Sequence, residues 1–330
     1  MYKIKELPED FIVEEIPNIE IKGSGEFSYY LLEKKDIDTE KAVLKIADFF
    51  RLKRKYFGIA GNKDRHALTK QSFSVKGKIN NHDFNDFKIN LIGYGDKPIS
   101  LGDLSGNRFT IVVRNIIKKP EPISQIINYF DEQRFGKHNL EIGLSIIKRD
   151  FKNAATLIDY PDTKKHLEKN PNDYTNAIKK VPFKTLNLYI HAVQSFLWNE
   201  AAMKYVQMKS KKYAKIGYRY GEFAFPYGKI KNLEIPLLSF DTEFDDEGIK
   251  NIYKIILEKN TLTLRDFIVR QLPDITPFGG KRNLIAEVKS LLISKPENDE
   301  LNPGMKRSTL NFELGKGSYA TIAVKSIFSK

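Results

Sequence analysis

The feature that most constrains this chain is a change of hydrophobic period along its length: two-residue alternation at both ends, helical spacing through the middle. Near the start, Asp10-Phe11-Ile12-Val13-Glu14-Glu15-Ile16 and Glu26-Phe27-Ser28-Tyr29-Tyr30-Leu31-Leu32 read as strands, with Gly23-Ser24-Gly25 as the turn between them. One helix is expected from about Thr39 to Leu52, with Asp38 or Thr39 as N-cap and Val43, Ile46, Ala47 and Phe50 on one face. Strands resume at Phe73-Ser74-Val75 and at Phe109-Thr110-Ile111-Val112-Val113. From about Pro122 the spacing of Ile123, Ile126, Ile127 and Phe130 predicts helix, and Leu186 to Met208 contains no helix breaker. Thr263-Leu264-Arg265-Asp266 has the form of a capping box opening a short helix before Pro273.

The strand pattern returns in Asn283–Val288, Thr309–Leu314 and Ala320–Val324, bounded by Pro303-Gly304 and Gly315-Lys316-Gly317, while Lys295 to Gly304 reads as a polar surface loop. Strand-rich ends around a helix-rich middle predict an α+β domain assembled from both termini, with a helical insertion and a cleft between the two. Two consecutive domains also fit the pattern.

Composition narrows the chemistry. The chain has no cysteine, so disulfides, thiolate metal sites and cysteine nucleophiles are excluded, leaving carboxylates, bases and hydroxyls. Five scattered histidines without a His-Glu-x-x-His pattern argue against a metal site, and His191 reads as a structural residue. Neither a membrane-length apolar run nor, in Met1–Glu6, a signal-peptide core is present, so a cytoplasmic location is expected. With 55 Lys and Arg against 42 Asp and Glu, the formal charge is +13, which favours a polyanionic partner such as nucleic acid. Arg51-Leu52-Lys53-Arg54-Lys55-Tyr56, and secondarily Lys209–Lys215 with Tyr218-Arg219-Tyr220, mix cations with rings as RNA-facing surfaces do.

The densest polar segment runs from Ala60 to Gln71 and places Asp64 between Lys63 and Arg65. Adjacent positive charge favours an ionised carboxylate, which suits a nucleophile or base better than an acid. By pattern alone, Phe11 and Phe109 are core residues and Asn107, after Gly106, is a turn residue.

Gly61-Asn62-Lys63-Asp64-Arg65-His66-Ala67, with Thr69 and Gln71, resembles the signature loop of the TruD family of pseudouridine synthases. Five more segments agree in order: Pro8–Glu15, Gly106–Ile111, Asn128–Gly136, Ala192–Asn199 and Leu314–Thr321. The resemblance implies a pseudouridine synthase-type catalytic domain, with a mixed or antiparallel sheet, formed by residues 1–122 and 281–330. Residues 123–280 would form the helix-rich TRUD insertion domain.

The resemblance further implies that Asp64 is the catalytic aspartate, with Phe11, Asn107 and Tyr319 contacting the target nucleotide and Phe109 stacking on uracil. Lys5 matches a basic residue that pairs with the catalytic carboxylate, supported by Lys63 and Arg65. Tyr319 departs from the phenylalanine of some relatives, keeping the ring and adding a hydroxyl. The implied substrate is tRNA, modified at uridine 13 of the D-arm, with no cofactor, no metal and no obligatory protein partner. An RNA-binding protein without catalysis on the same fold is the alternative, and a magnesium nuclease using Asp64 and Lys63 would need further carboxylates.

Overall fold

A computed structural model describes residues 2–329. In chain order its main elements begin with β1 (Phe11–Pro17), β2 (Phe27–Lys35), α1 (Thr39–Phe49), β3 (Phe57–Ile59), β4 (Leu68–Lys76), β5 (His82–Asp83), β6 (Phe87–Gly95), β7 (Leu104–Ile116) and β8 (Gln125–Ile127). The helical stretch holds α2 (Asn139–Ile147), α3 (Phe151–Leu157), α4 (Pro161–Lys169), α5 (Tyr174–Ile178) and α6 (Phe183–Lys209). Then come β9 (Tyr213–Tyr218), β10 (Gly221–Pro226), β11 (Glu234–Leu237), α7 (Glu247–Asn260), β12 (Gly280–Asn283) and β13 (Ile285–Glu287). The last elements are β14 (Lys289–Ile293), β15 (Glu297–Asn298), β16 (Lys306–Gly315) and α8 (Ala320–Phe328). Two compact units result, one of Met1–Ser124 and Glu287–Ala320, the other of Gln125–Ala286 and Thr321–Lys330.

The first unit is built on a ten-stranded sheet in the order β14-β16-β7-β1-β4-β2-β6-β5, with β15 on β16 and β3 on β4. Within this sheet β1 and β4 run parallel, and the other neighbouring strands are antiparallel. Alternation decides which side chains are buried: Phe11, Val13 and Glu15 on β1, and Ser308, Leu310, Phe312 and Leu314 on β16. α1 lays Ala42, Val43, Ile46 and Ala47 against Tyr30, Leu32, Phe73, Val75 and Ile89, each large apolar side chain contributing about 1.5–3 kcal/mol by burial. Asp38 takes the N-cap position, but its side chain makes no cap bond.

A buried arginine ties the early and late parts of this unit together. Arg114 donates to both carboxylate oxygens of Asp10 at 2.8 Å and to Asp299 at 3.0 Å, and Asn115 N–H donates to Asp299 at 2.8 Å. The segment read from the sequence as a loose polar loop, Lys295 to Gly304, is therefore anchored at its centre. Gly106 is required where β7 and β16 meet, since a Cβ there would lie 2.3 Å from the Leu314 carbonyl oxygen.

The second unit forms around α6, whose 27 residues are buried on most sides because Leu186, Ile190, Val193, Leu197, Trp198 and Ala201 all pack inward. Its buried polar groups are satisfied by backbone: Trp198 Nε1 donates to the Ile235 carbonyl, Gln194 to that of Leu238, and Asn199 exchanges bonds with both main-chain groups of Phe130. His191 is half-buried, and desolvation, helped by nearby Arg134, pushes its imidazole below the usual range, as befits a structural residue.

Three local expectations are overturned. Ile126 and Ile127 lie on β8, paired with β13, because an unbroken buried run satisfies either period and Pro120 and Pro122 precede it. Ala320–Val324 is helical: Ala320, Ala323, Val324 and Ile327 are buried at i, i+3, i+4 and i+7, outweighing the β-branched residues, and residues 321–329 fall in the second unit. Asn107 is a strand residue inside β7.

Candidate active site

The loop from Gly61 to His66 carries Asp64 and is held against one face of the large sheet by that face's own side chains. Register aligns Lys34 of β2 with Thr69 of β4, Thr69 with Val13 of β1, Val13 with Phe109 of β7, and Phe109 with Phe312 of β16. The next row runs through Leu32, Gln71, Glu15, Asn107 and Leu314. These rows form a polar seam between apolar flanks, and the seam grips the loop.

Gln71 donates from Nε2 to the Gly61 carbonyl at 3.0 Å and accepts from the Thr39 hydroxyl, which itself accepts from Lys63 N–H. Thr39 thus pins the loop instead of capping α1. Lys63, expected beside Asp64, instead donates from Nζ to Glu15 Oε2 at 2.6 Å, with side chains 7% and 1% exposed. The other Glu15 oxygen accepts from Ser72 N–H at 3.2 Å. Lys34 donates from Nζ to the Asp64 main-chain carbonyl at 2.8 Å.

The Asp64 carboxylate receives its cation from Lys5, whose Nζ lies 2.7 Å from Oδ2 and 4.2 Å from the Phe11 ring centroid. The chain reaches this position by bridging Lys3 to Arg114 and then turning, with Lys5 itself at φ 61°, a left-handed conformation costing about 1 kcal/mol or more for a side-chain-bearing residue. Strain of this kind persists where surrounding contacts over-determine the geometry. The Asp64 side chain is 31% exposed, so the anchored carboxylate still faces solvent.

Phe11, Phe109 and Phe312, all buried as core residues, form the adjoining aromatic floor, with Phe11 edge-on to Phe109 at 6.3 Å and Phe109 stacked on Phe312 at 5.4 Å. Asn107 Oδ1 and Thr69 Oγ1 are buried without a hydrogen-bond partner among the described residues, an unusual state for two neighbouring rows of one face.

The structure therefore brings together Asp64, Lys5, Phe11 and Phe109, with Lys63 and Asn107 along the seam. Arg65 is exposed on the loop, and Tyr319 lies half-buried just past the turn at Gly317, where φ is 79°. Lys34 and Glu15 were not singled out from sequence, although Tyr30, Leu32 and Lys34, like Phe11, Val13 and Glu15, share a strand parity that puts them on the buried face. A groove of about 570 Å³ is lined by Ile12, Glu14, Lys35, Leu68, Lys70 and Thr110, and Lys34 and Thr69 of the seam also border it.

The basic stretches are partly committed elsewhere. Arg54 is bidentate to Glu40, whereas Lys53 and Lys55 are exposed; Arg219 and Tyr220 both bond Glu141. No group of three or more His, Asp or Glu able to hold a metal occurs among the described residues, and no helix there is long and apolar enough to cross a membrane.

A crystal structure from Methanosarcina mazei, solved as a candidate tRNA pseudouridine synthase D (TruD), superposes with a TM-score of 0.73 at 23% identity, covering 99% of this chain and 93% of that one. The two chains thus share one α+β fold. The family model described as tRNA pseudouridine synthase D (TruD) matches residues 2–163, 161–216 and 228–327, and the chain belongs to that family. Among its relatives, the Methanocaldococcus jannaschii "Probable tRNA pseudouridine synthase D 2" is 32% identical across 99% of this chain and 91% of its own length. The Aquifex aeolicus "tRNA pseudouridine synthase D" is 27% identical, with 99% and 98% covered.

Proposed function

We propose that this protein isomerises a uridine of tRNA to pseudouridine, at position 13 of the D-arm, with Asp64 as the catalytic carboxylate. One observation carries the proposal: in a chain matched by the TruD model along most of its length, Asp64 is fixed by Lys5 beside an aromatic floor while remaining solvent-facing. The reaction breaks the bond from C1′ to N1, turns the uracil, and joins C1′ to C5, so substrate and product are isomers and no electrons are exchanged. Two routes start from this geometry. Asp64 attacks C1′ to give a covalent intermediate, or it removes a proton from the ribose to give a glycal-like one; both need a carboxylate held at the sugar, and the Lys5 ammonium holds it at 2.7 Å.

A paired, stacked uridine hides these atoms, so the base is flipped out of the helix. Phe109 and Tyr319 offer rings in exchange for lost stacking, and Phe11 supports Lys5 from below. Asn107, with an unfilled acceptor at Oδ1, takes the edge of the base. The helix-rich unit, acting as the insertion domain, grips the tRNA body, since choosing one uridine requires reading RNA shape beyond the base.

Position-resolved mapping of pseudouridine on unmodified tRNA transcripts tests the proposal, with wild type and Asp64→Ala side by side. Product at position 13 from wild type alone is expected, with tRNA binding by the variant retained. Turnover by Asp64→Ala would overturn the assignment of the carboxylate, product at another position that of the site, and tight binding with no product from wild type would favour a non-catalytic RNA-binding protein.

A further inference from the structure

We infer that Lys34 is a positioning residue for Asp64: a buried ammonium that holds the aspartate's main chain, and acts in its charged form. The inference rests on Asp64 being the catalytic group. Two lysines reach that residue from different directions. Lys5 binds the carboxylate, which fixes a side chain free to rotate about two bonds, whereas Lys34 binds the carbonyl oxygen of the same residue at 2.8 Å, which fixes the frame from which that side chain projects.

Lys34 is only 3% exposed, a rare condition for lysine unless something requires the charge there. Its ladder neighbours, Thr69 on β4 and Phe87 on β6, carry no charge. The charged groups facing it are Asp64 and Lys63 from the loop, and Asp36 and Asp38 from the turn into α1. A methionine of similar length would fill the same space without the cost of burying a cation, so packing alone does not explain a lysine at this position.

Burial brings the ammonium down to about 8, with the aspartates and Lys63 as lesser influences, so Lys34 changes charge within a range where the enzyme can be assayed. Two consequences have opposite sign. As pH rises past about 8, the ammonium becomes an amine, a weaker donor to the Asp64 carbonyl, and turnover falls. Over the same interval the unfolded chain still binds the proton that the folded one has released, so the contribution of Lys34 to folding stability rises until its ordinary value near 10.5 is passed. Activity and stability thus diverge, whereas a lysine needed only for the fold would show the same rise in stability with no fall in turnover.

The test is kcat, KM for tRNA and thermal midpoint between pH 6.5 and 9.5 for wild type, Lys34→Met and Lys34→Arg, with Asp64→Ala alongside. Misplacing a reacting group by about 1 Å costs on the order of 100-fold, so Lys34→Met is expected to lose roughly 10- to 100-fold in kcat with KM within twofold, and to lose the alkaline fall. Lys34→Arg, charged throughout, is expected to exceed Lys34→Met and to stay flat above pH 8. A wild-type kcat that does not fall above pH 8, a Lys34→Met enzyme as fast as wild type, or an alkaline fall that persists unchanged in Lys34→Arg would each overturn the inference. If Lys34→Met does not fold, the first and third outcomes still decide. Turnover by Asp64→Ala would instead remove the premise, while an inert Asp64→Ala beside an unaffected Lys34→Met removes only the role given to Lys34.

Discussion

Along β4 the face of the large sheet changes character within four residues. At Phe73 and Val75 it meets α1 through an apolar cluster including Tyr30, Leu32 and Ile46; at Gln71 and Thr69 it belongs to a buried polar seam that also contains Lys34, Glu15 and Asn107. The flank is generic, in that hydrophobic residues of suitable size would replace one another at modest cost. Lys34, Gln71 and Glu15 in the seam each have a specific partner atom, because unpaired polar groups in a low-dielectric setting are costly. Both regions contribute stability, but only the second also sets the geometry at Asp64.

The largest expected effect comes from breaking the seam's ion pair. Lys63→Met leaves Glu15 buried without its cation and is expected to cost about 3–5 kcal/mol, read as a lowered midpoint in urea; the double variant with Glu15→Gln should recover much of the loss. If the single variant unfolds like wild type, the seam is not the buried network described here. Next, Ile46→Ala on the flank should cost about 2–5 kcal/mol while leaving kcat unchanged well below its melting temperature, and a matching loss of kcat would show that the two regions are not separable.

A smaller effect belongs to the Arg114 anchor. Burial alone would raise the Asp299 carboxyl, but hydrogen bonds from Asn115 N–H, Asn302, Leu301 N–H and Arg114 bring it down to about 2. A carboxylate depressed in the folded state contributes stability above its ordinary value near 3.8 and loses it as pH falls toward 2. Melting temperature measured from pH 5 to 2 should therefore fall less steeply in Asp299→Asn than in wild type, from a lower starting point. Parallel curves would deny Asp299 its share of the acid sensitivity.

Much of the flank was legible in the sequence, because hydrophobic period is a local signal: β1, β2, α1, α6 and the core of β16 stand near where alternation or helical spacing put them. Where that signal is ambiguous it failed, as at Ile126 and Ile127, whose buried run fits either period, and at Ala320–Val324, where β-branched residues masked an i, i+3, i+4 pattern. The seam was legible only through resemblance. Nothing near Lys63 announces a partner 48 positions earlier, and Lys34, between Glu33 and Lys35, looks like a solvated strand end unless the parity of Tyr30 and Leu32 is followed one step further.

The stacking of Phe109 on Phe312, and the hydrogen bond from Thr110 to Asn311 across a separation of 201 residues, imply an order of events during synthesis. When β7 leaves the ribosome its outer edge has no partner, and the whole helix-rich unit must follow before β16 arrives to cover it. For that interval the nascent chain carries an open strand edge, the usual entry point for mispairing with another chain. The aromatic floor beside Asp64 is likewise incomplete until then, so a chain whose synthesis stops early has its carboxylate but not Phe312, on which Phe109 stacks.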